Sequence, residues 1–159
     1  MDLISTRAMD ITKLALDGLM VRQKAITANT ANVMTPDYQR KEVNFENQLK
    51  EIVEKEDLKD YIKEKNSMEY NPTSLDVFMN RSKPELTVQQ ARYLKSDVYS
   101  NYDPQVIDDT LSGSDTNGNN VSLEQEVMDM AAVGLRYKAL SNLEQKQVKI
   151  IATAIKGEL

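Results

Sequence analysis

The chain has no cysteine and no histidine among its 159 residues. That removes disulfides, thiol nucleophiles, Ser-His-Asp triads and nearly every zinc site. Tryptophan is absent as well, and aromatic residues are few. Five glycines and four prolines are too few for the many turns of an all-β fold, so helix is favoured. No window approaches the roughly 20 apolar residues that span a bilayer. No glycine-rich phosphate loop occurs, and no two carboxylates stand out in a cleft-forming context, so an enzyme is not expected. Positive charge is in deficit: the net charge is −5, and Lys and Arg are interspersed with acids, which argues against nucleic acid. The first residues carry no secretory signal, since Asp2 is acidic and no apolar segment follows Arg7. A cytoplasmic protein, or one exported uncleaved by another route, is expected. Nothing in the composition implies a cofactor, a metal or a small-molecule substrate.

What is present is one domain's worth of polar, helix-prone chain. Residues 5–32 have the pattern of a helix about 42 Å long at ~1.5 Å per residue. Met9, Leu16, Leu19, Met20 and Ile26 share one broad face, and Leu3, Leu14 and Val21 share a second. A helix apolar on two faces has more than one neighbour. Ile11, Ala15, Gly18 and Ala25 recur between them, and Arg22 interrupts that row.

Asn29, Thr30 and Asn32 weaken the helix end, and Pro36 stops it by pushing Thr35 out of the helical region. A tight turn is expected at Thr35-Pro36-Asp37. Tyr38 then emerges as an aromatic anchor whose hydroxyl wants a partner. Residues 39–44 are predicted extended, and Phe45, Leu49, Ile52 and Val53 open a second, densely charged helical pattern. Residues 66–110 are expected to be irregular. Short strands are predicted at Leu75–Phe78, Val98–Tyr102 and Gln105–Ile107, while Leu86–Leu94 fits either strand or helix. In the polar loop 111–121, Asp115, Asn117 and Glu124 fall on calcium-ligand positions of an EF-hand. Gly113 stands where that loop needs its first acid, so a plain turn is expected.

Ser122-Leu123-Glu124-Gln125 has the form of a capping box, and a helix is predicted from Leu123 to about Lys156. Leu123, Val127, Met130, Gly134, Tyr137, Ser141, Glu144, Val148, Ile151 and Ile155 recur every 3.5 residues, with Val133, Leu140, Leu143, Ile150 and Ala154 widening the apolar face. The fold expected is mainly α. A discontinuous, coiled-coil-like pair of long terminal helices (residues 1–49 plus 117–159) encloses a small, partly β middle module at 50–116.

Asn29-x-x-Asn32-x-x-Thr35-Pro36-x-Tyr38, after a helix holding Arg22-Gln23, resembles the N-terminal signature of bacterial flagellar rod and hook proteins. That family usually carries Gly where this chain has Asp37. Gly118-Asn119-x-Val121-x-x-x-x-Glu126 resembles the family's approach to its last helix, and Leu135-Arg136-Tyr137 follows in place. Short length and a direct Thr-Pro-x-Tyr bring the chain nearest the short proximal rod proteins. The likeness spans the first 49 and last 43 residues; residues 50–116 carry no recognised motif.

The resemblance implies a structural subunit of the basal-body rod. It would stack helically with copies of itself and other rod subunits, contact the membrane-ring adaptor and the export apparatus, and transmit torque. Leu16, Leu19, Ile26, Val127, Met130, Tyr137, Leu140, Ile151 and Ile155 would supply the assembly helices. Phe45-x-x-x-Leu49 matches the family's export-gate segment, so Phe45→Ala is expected to block export with little change in folding. The alternatives are another flagellar axial protein, or a cytoplasmic helical adaptor or chaperone.

Overall fold

The computed structural model describes residues 7–67, 93, 99–110, 113 and 116–157. Among the described residues five elements follow in order: α1 (Arg7–Ala31), β1 (Lys41–Asn44), α2 (Glu46–Ser67), β2 (Gln105–Asp108) and α3 (Leu123–Lys156). The fold is mainly helical, with its two long terminal helices packed on each other. Among the described residues no helix is long and apolar enough to cross a membrane. The contacts divide the chain into two units: Met1–Leu49 with Asp103–Leu159, and Lys50–Tyr102.

Local chemistry sets the ends of α3. The Ser122 hydroxyl accepts from the Gln125 N–H at 3.5 Å, and Gly157, at φ 70°, closes the helix by donating its N–H to Ala154 O. The reciprocal half of the capping box is not made. Gln125 Nε2 donates instead to the Asp129 carboxylate, 3.1 Å away, because an anion one turn on outcompetes a neutral backbone group.

Thr12, Ala15, Leu19, Ala25, Ile26 and Asn29 are buried along α1. Thr12 is accommodated because its hydroxyl donates to Ala8 O at 2.7 Å. On α3 only Glu126 and Val133 are fully buried. The seam that runs on from them passes through Met130, Leu140, Glu144, Gln147 and Ile151, all half-buried. This register differs from the predicted one. Met130, Glu144 and Ile151 keep their place in it, but Leu123, Val127, Val148 and Ile155 lie on the exposed flank. Leu135 and Ile150 are exposed on the opposite flank. Helix α3 is apolar over more of its circumference than one partner can cover.

Gly134 sits on that exposed flank, and a Cβ built there meets nothing within 4 Å. The isolated chain gains nothing from the missing side chain. Gly134→Ala is therefore expected to stabilise the monomer by about 1 kcal/mol through helix propensity alone, read as a rise in the urea midpoint.

In the first unit β1 and β2 form a two-stranded antiparallel ribbon, pairing Lys41 with Asp108 and Val43 with Val106. Val43 is buried beneath it, and all of β2 is exposed. In the second unit the buried Lys55 lies under the Tyr93 ring, 5.7 Å from its centroid, and the Tyr93 hydroxyl donates to Glu51 O at 3.1 Å. Tyr99–Asn101 is a turn, closed by Tyr102 N–H donating to Tyr99 O, where a strand was expected. Ser100 and Asn101 favour that turn over pairing. The expected elements at 75–78 and 86–94, apart from Tyr93, and Leu3 lie outside the described residues.

Candidate functional site

The end of α1 is held by amides. Asn32 Nδ2 donates back to Ala28 O at 2.8 Å, its Oδ1 accepts from the Thr35 hydroxyl, and its carbonyl accepts from Thr35 N–H. Pro36 and Asp37 form the centre of a β-turn, and Tyr38 N–H donates to Thr35 O at 3.4 Å. Asp37 sits at φ 57°. Proline second and a left-handed residue third is the pattern of a type II turn, which favours glycine at the third place.

From the far end of the chain the loop 117–121 closes over this turn. Asn119 is buried, and its Nδ2 donates to the carbonyls of Asn32, Val33 and Thr35, capping the helix end. Its Oδ1 accepts from Val121 N–H at 2.7 Å. Asp37 N–H donates to Asn117 O, and Gln39 Nε2 to Gly118 O. Asn117 Oδ1 accepts from Asn119 N–H, so it serves the turn itself.

Gly118 is at φ 79°, and a Cβ on it would collide with the Asp37 carboxylate. Two substitutions should therefore act with opposite sign. Gly118→Ala loses about 2 kcal/mol through left-handed strain and the displaced carboxylate. Asp37→Gly gains up to about 1 kcal/mol, less the entropy that glycine adds to the unfolded chain. Urea unfolding of the two variants beside the parent reads both, and equal signs would refute this account of the turn.

Beneath the loop lies a closed polar cluster. Asn29 and Glu126 are both 0% exposed. Asn29 Nδ2 donates to Lys41 O at 2.9 Å and to Glu126 Oε2 at 3.1 Å. Its Oδ1 accepts from Lys41 N–H at 2.8 Å and from the Tyr38 hydroxyl at 3.3 Å. All four hydrogen-bonding positions of one side chain are used, and they tie α1, the turn, β1 and α3 together. Glu126 Oε1 accepts from Arg40 Nε at 2.6 Å. The same guanidinium donates to Asp129 at 3.0 Å and faces Asp109 at 3.6 Å. Burial acts to lower the Arg40 pKa, but the hydrogen bond and charge of Glu126, with the charges of Asp129 and Glu42, more than offset it and raise it. Asn120 completes the cluster: its Oδ1 accepts from Arg40 N–H and its Nδ2 donates to Asp109 O, both at 2.6 Å. Asp109 N–H in turn donates to Arg40 O at 2.7 Å, extending the ribbon. The arrangement is a clasp whose groups are engaged with one another.

A second contact flanks it. Arg22 NH2 donates to Val43 O at 2.6 Å, its guanidinium grips both oxygens of Glu46, and it lies 4.8 Å from the Phe45 ring centroid. The Glu46 pKa would be raised by its burial. The Arg22 hydrogen bond, the backbone N–H groups of Glu46 and Phe45, and the Arg22 charge outweigh that and lower it. Phe45 is 3% exposed, and Leu49, one turn into α2, donates its N–H to Phe45 O at 2.9 Å. An open apolar groove of about 320 Å³ runs beside them, lined by Ala15, Leu19, Phe45, Glu46, Arg136, Ala139 and Leu140.

Asn29, Asn32, Thr35, Pro36 and Tyr38 thus gather at one junction with Gly118, Asn119, Val121 and Glu126. Phe45 is buried and Leu49 half-buried. Among the assembly residues named from sequence, Leu19 and Ile26 are buried, and Leu16, Met130, Leu140 and Ile151 are half-buried. Val127, Tyr137 and Ile155 are 59%, 38% and 70% exposed. Sequence reading passed over Arg40, Asn120, Asp109 and Asp129. The signal was there for Arg40: a cation two residues after the anchoring tyrosine, in a chain whose second motif ends in a glutamate.

No family model matches the chain. It is 29% identical over 150 residues to the flagellar basal body rod protein FlgB of Borreliella burgdorferi, covering 94% of this chain and 96% of that protein. Against FlgB of Bacillus subtilis the identity is 27% over 144 residues, covering 90% of this chain and 88% of that one. Against FlgB of Borrelia hermsii it is 26% over 149 residues, with 94% and 96% covered. In its interlocked motifs, its paired terminal helices and these matches along at least 90% of its length, the chain resembles the flagellar basal body rod protein FlgB.

Proposed function

We propose that this chain is a structural subunit of the flagellar basal-body rod. Its terminal helices, residues 1–49 with 117–159, act as the rod-core domain, and residues 50–116 are an insertion between them. The observation that carries the reading is the apolar surface left uncovered on α3, where Leu135 is 71% exposed and Ile155 70%. Surface of that kind on a paired helix marks an interface. A rod needs heterologous interfaces that do not close, and a helix with two apolar flanks beside its paired face provides them. Other rod subunits, copies of this chain, the membrane-ring adaptor and the export apparatus are its partners, and its place is the cell-envelope basal body. The clasp then keeps the two ends of each subunit together while torque passes along the stack.

Export through the gate uses Phe45 and Leu49 in this reading. Phe45 is buried beneath Arg22 in the folded unit, so the segment is readable only in an unfolded chain.

The test is basal-body purification from cells carrying a tagged copy. The tagged chain is expected in that fraction, and a deletion strain is expected not to swim. A tagged chain that stays in the cytoplasm, with normal motility in the deletion strain, would overturn the rod reading in favour of a helical adaptor.

A further inference from the structure

Asn117 is the only asparagine in the chain that is followed by glycine. An asparagine loses its side-chain amide when the next backbone nitrogen attacks Cγ, and glycine at that next position removes the side chain that would crowd the attack. A fold permits the reaction where the amide is accessible, the attacking N–H is free and the carbonyl under attack is polarised. The loop that closes the clasp meets each condition. Asn117 is exposed, so its amide nitrogen can leave into solvent. Among the described residues no acceptor takes the Gly118 N–H, although the Gly118 carbonyl accepts from Gln39. Asn117 Nδ2 likewise has no acceptor among them, so the leaving group is not tied down. Asn117 Oδ1 accepts from the Asn119 N–H at 3.0 Å. That donor polarises the amide carbon and faces the oxygen on which charge develops during attack. It is fixed in place, because the buried Asn119 side chain is bonded to the carbonyls of Asn32, Val33 and Thr35. The other clasp asparagines differ: Asn29, Asn32, Asn119 and Asn120 all give their amide N–H groups to acceptors and precede larger residues.

We propose that Asn117 is a site of self-modification in the folded chain. Gly118 N gives up its proton to solvent and bonds to Asn117 Cγ. The Cγ–Nδ2 bond breaks, and the nitrogen takes a proton from water and leaves as ammonia. Water then opens the cyclic imide at either of its carbonyls, leaving aspartate or isoaspartate. The net change is gain of one water and loss of one ammonia, with no oxidation. The two products act differently on the clasp. Aspartate keeps an oxygen for the Asn119 N–H and leaves the main chain unaltered. Isoaspartate routes the main chain through Cβ and lengthens it by one carbon ahead of Gly118. The carbonyl that accepts from Asp37 N–H becomes part of a free carboxylate, and Asn119 is shifted from the carbonyls it caps. The clasp thus carries a slow, irreversible release in its own covering loop.

The test holds the full-length folded protein warm, at neutral and at mildly alkaline pH. Peptide mass spectrometry should show amide-to-acid conversion at residue 117 ahead of every other asparagine, with matching release of ammonia. Conversion should be faster at the higher pH, since the attacking nitrogen must lose its proton. Isoaspartate is read with an isoaspartyl carboxyl methyltransferase and a labelled methyl donor. The folded protein should convert at least as fast as the same chain in guanidinium chloride, where the Asn119 donor is lost. Asn117→Gln should release no ammonia from the site. The isoaspartate fraction should unfold at lower urea than Asn117→Asp, which stands for the other product. A folded protein spared at residue 117 while the unfolded chain converts, conversion spread evenly over the asparagines, or an isoaspartate form that unfolds together with Asn117→Asp would overturn the proposal.

Discussion

Glu126→Ala is expected to cost about 3 kcal/mol, the low end for breaking a buried charge pair by removing one partner. At about 4 °C per kcal/mol, the value between small and mid-sized domains, the melting temperature of the first unit should fall by about 12 °C. The cost comes from what the carboxylate leaves behind. Arg40 loses its 2.6 Å partner, and one N–H of the wholly buried Asn29 amide is left with no acceptor. Arg40 keeps Asp129 and Asp109, so the loss stays at the low end. Glu126→Gln should fall between the two, since a neutral amide can serve Asn29 or Arg40 but accepts more weakly from a cation. A double-mutant cycle with Arg40→Ala should give strong coupling, because the two residues share one network. Thermal unfolding followed by circular dichroism makes the measurement, with the exposed Lys146→Ala as a surface control. A Glu126→Ala protein that melts with the control would mean the clasp holds nothing.

Phe45→Ala comes next in size, at about 3 kcal/mol. Its ring is almost wholly buried, packs at the apolar groove, and lies under Arg22. Removing it opens a cavity and takes away the surface on which the guanidinium rests. This departs from the expectation, drawn from sequence, that folding would be little changed. An export defect in Phe45→Ala would therefore mix recognition with stability. Phe45→Leu keeps most of the volume and should lose only about 1 kcal/mol. If export recognises the aromatic ring, the leucine variant folds but stays inside the cell. A urea midpoint unmoved in Phe45→Ala would show that the ring is not packed as described.

Punctuation was the legible part of this fold. Pro36 and the asparagines before it announce the end of α1, and Ser122 announces the start of α3; both stand within two residues of the observed helix or turn boundaries. These signals are local, because a missing N–H or a hydroxyl cap acts on its own neighbours. The seam register was not legible. Helix α3 has apolar residues on both flanks, Val127 on one and Leu135 on the other, and periodicity cannot choose which of several rows meets α1. The clasp was half legible. Its asparagines and Tyr38 sit in recognisable spacing, but Arg40 and Glu126 are 86 positions apart and each looks like surface charge until the fold brings them together. The pairing of β1 with β2 spans the whole intervening unit and leaves no mark in either strand.

The 97 positions between Asn29 and Glu126 also set an order of events. A chain leaving the ribosome from its N-terminus cannot close the clasp until α3 has been made. Until then α1 has only β1 and the start of α2 to pack on and lacks its face against α3. The first unit is therefore a late-forming fold with high contact order, and a nascent chain stopped before Leu123 should show much weaker exchange protection at Asn29 and Lys41 than the full chain. The same geometry makes the loop forgiving. Closure entropy grows only with the logarithm of loop length, about 0.6 kcal/mol per doubling. Residues 50–102 could grow or shrink considerably with little effect on the grip of the two ends, and the timing of folding would still be set by the arrival of the last helix.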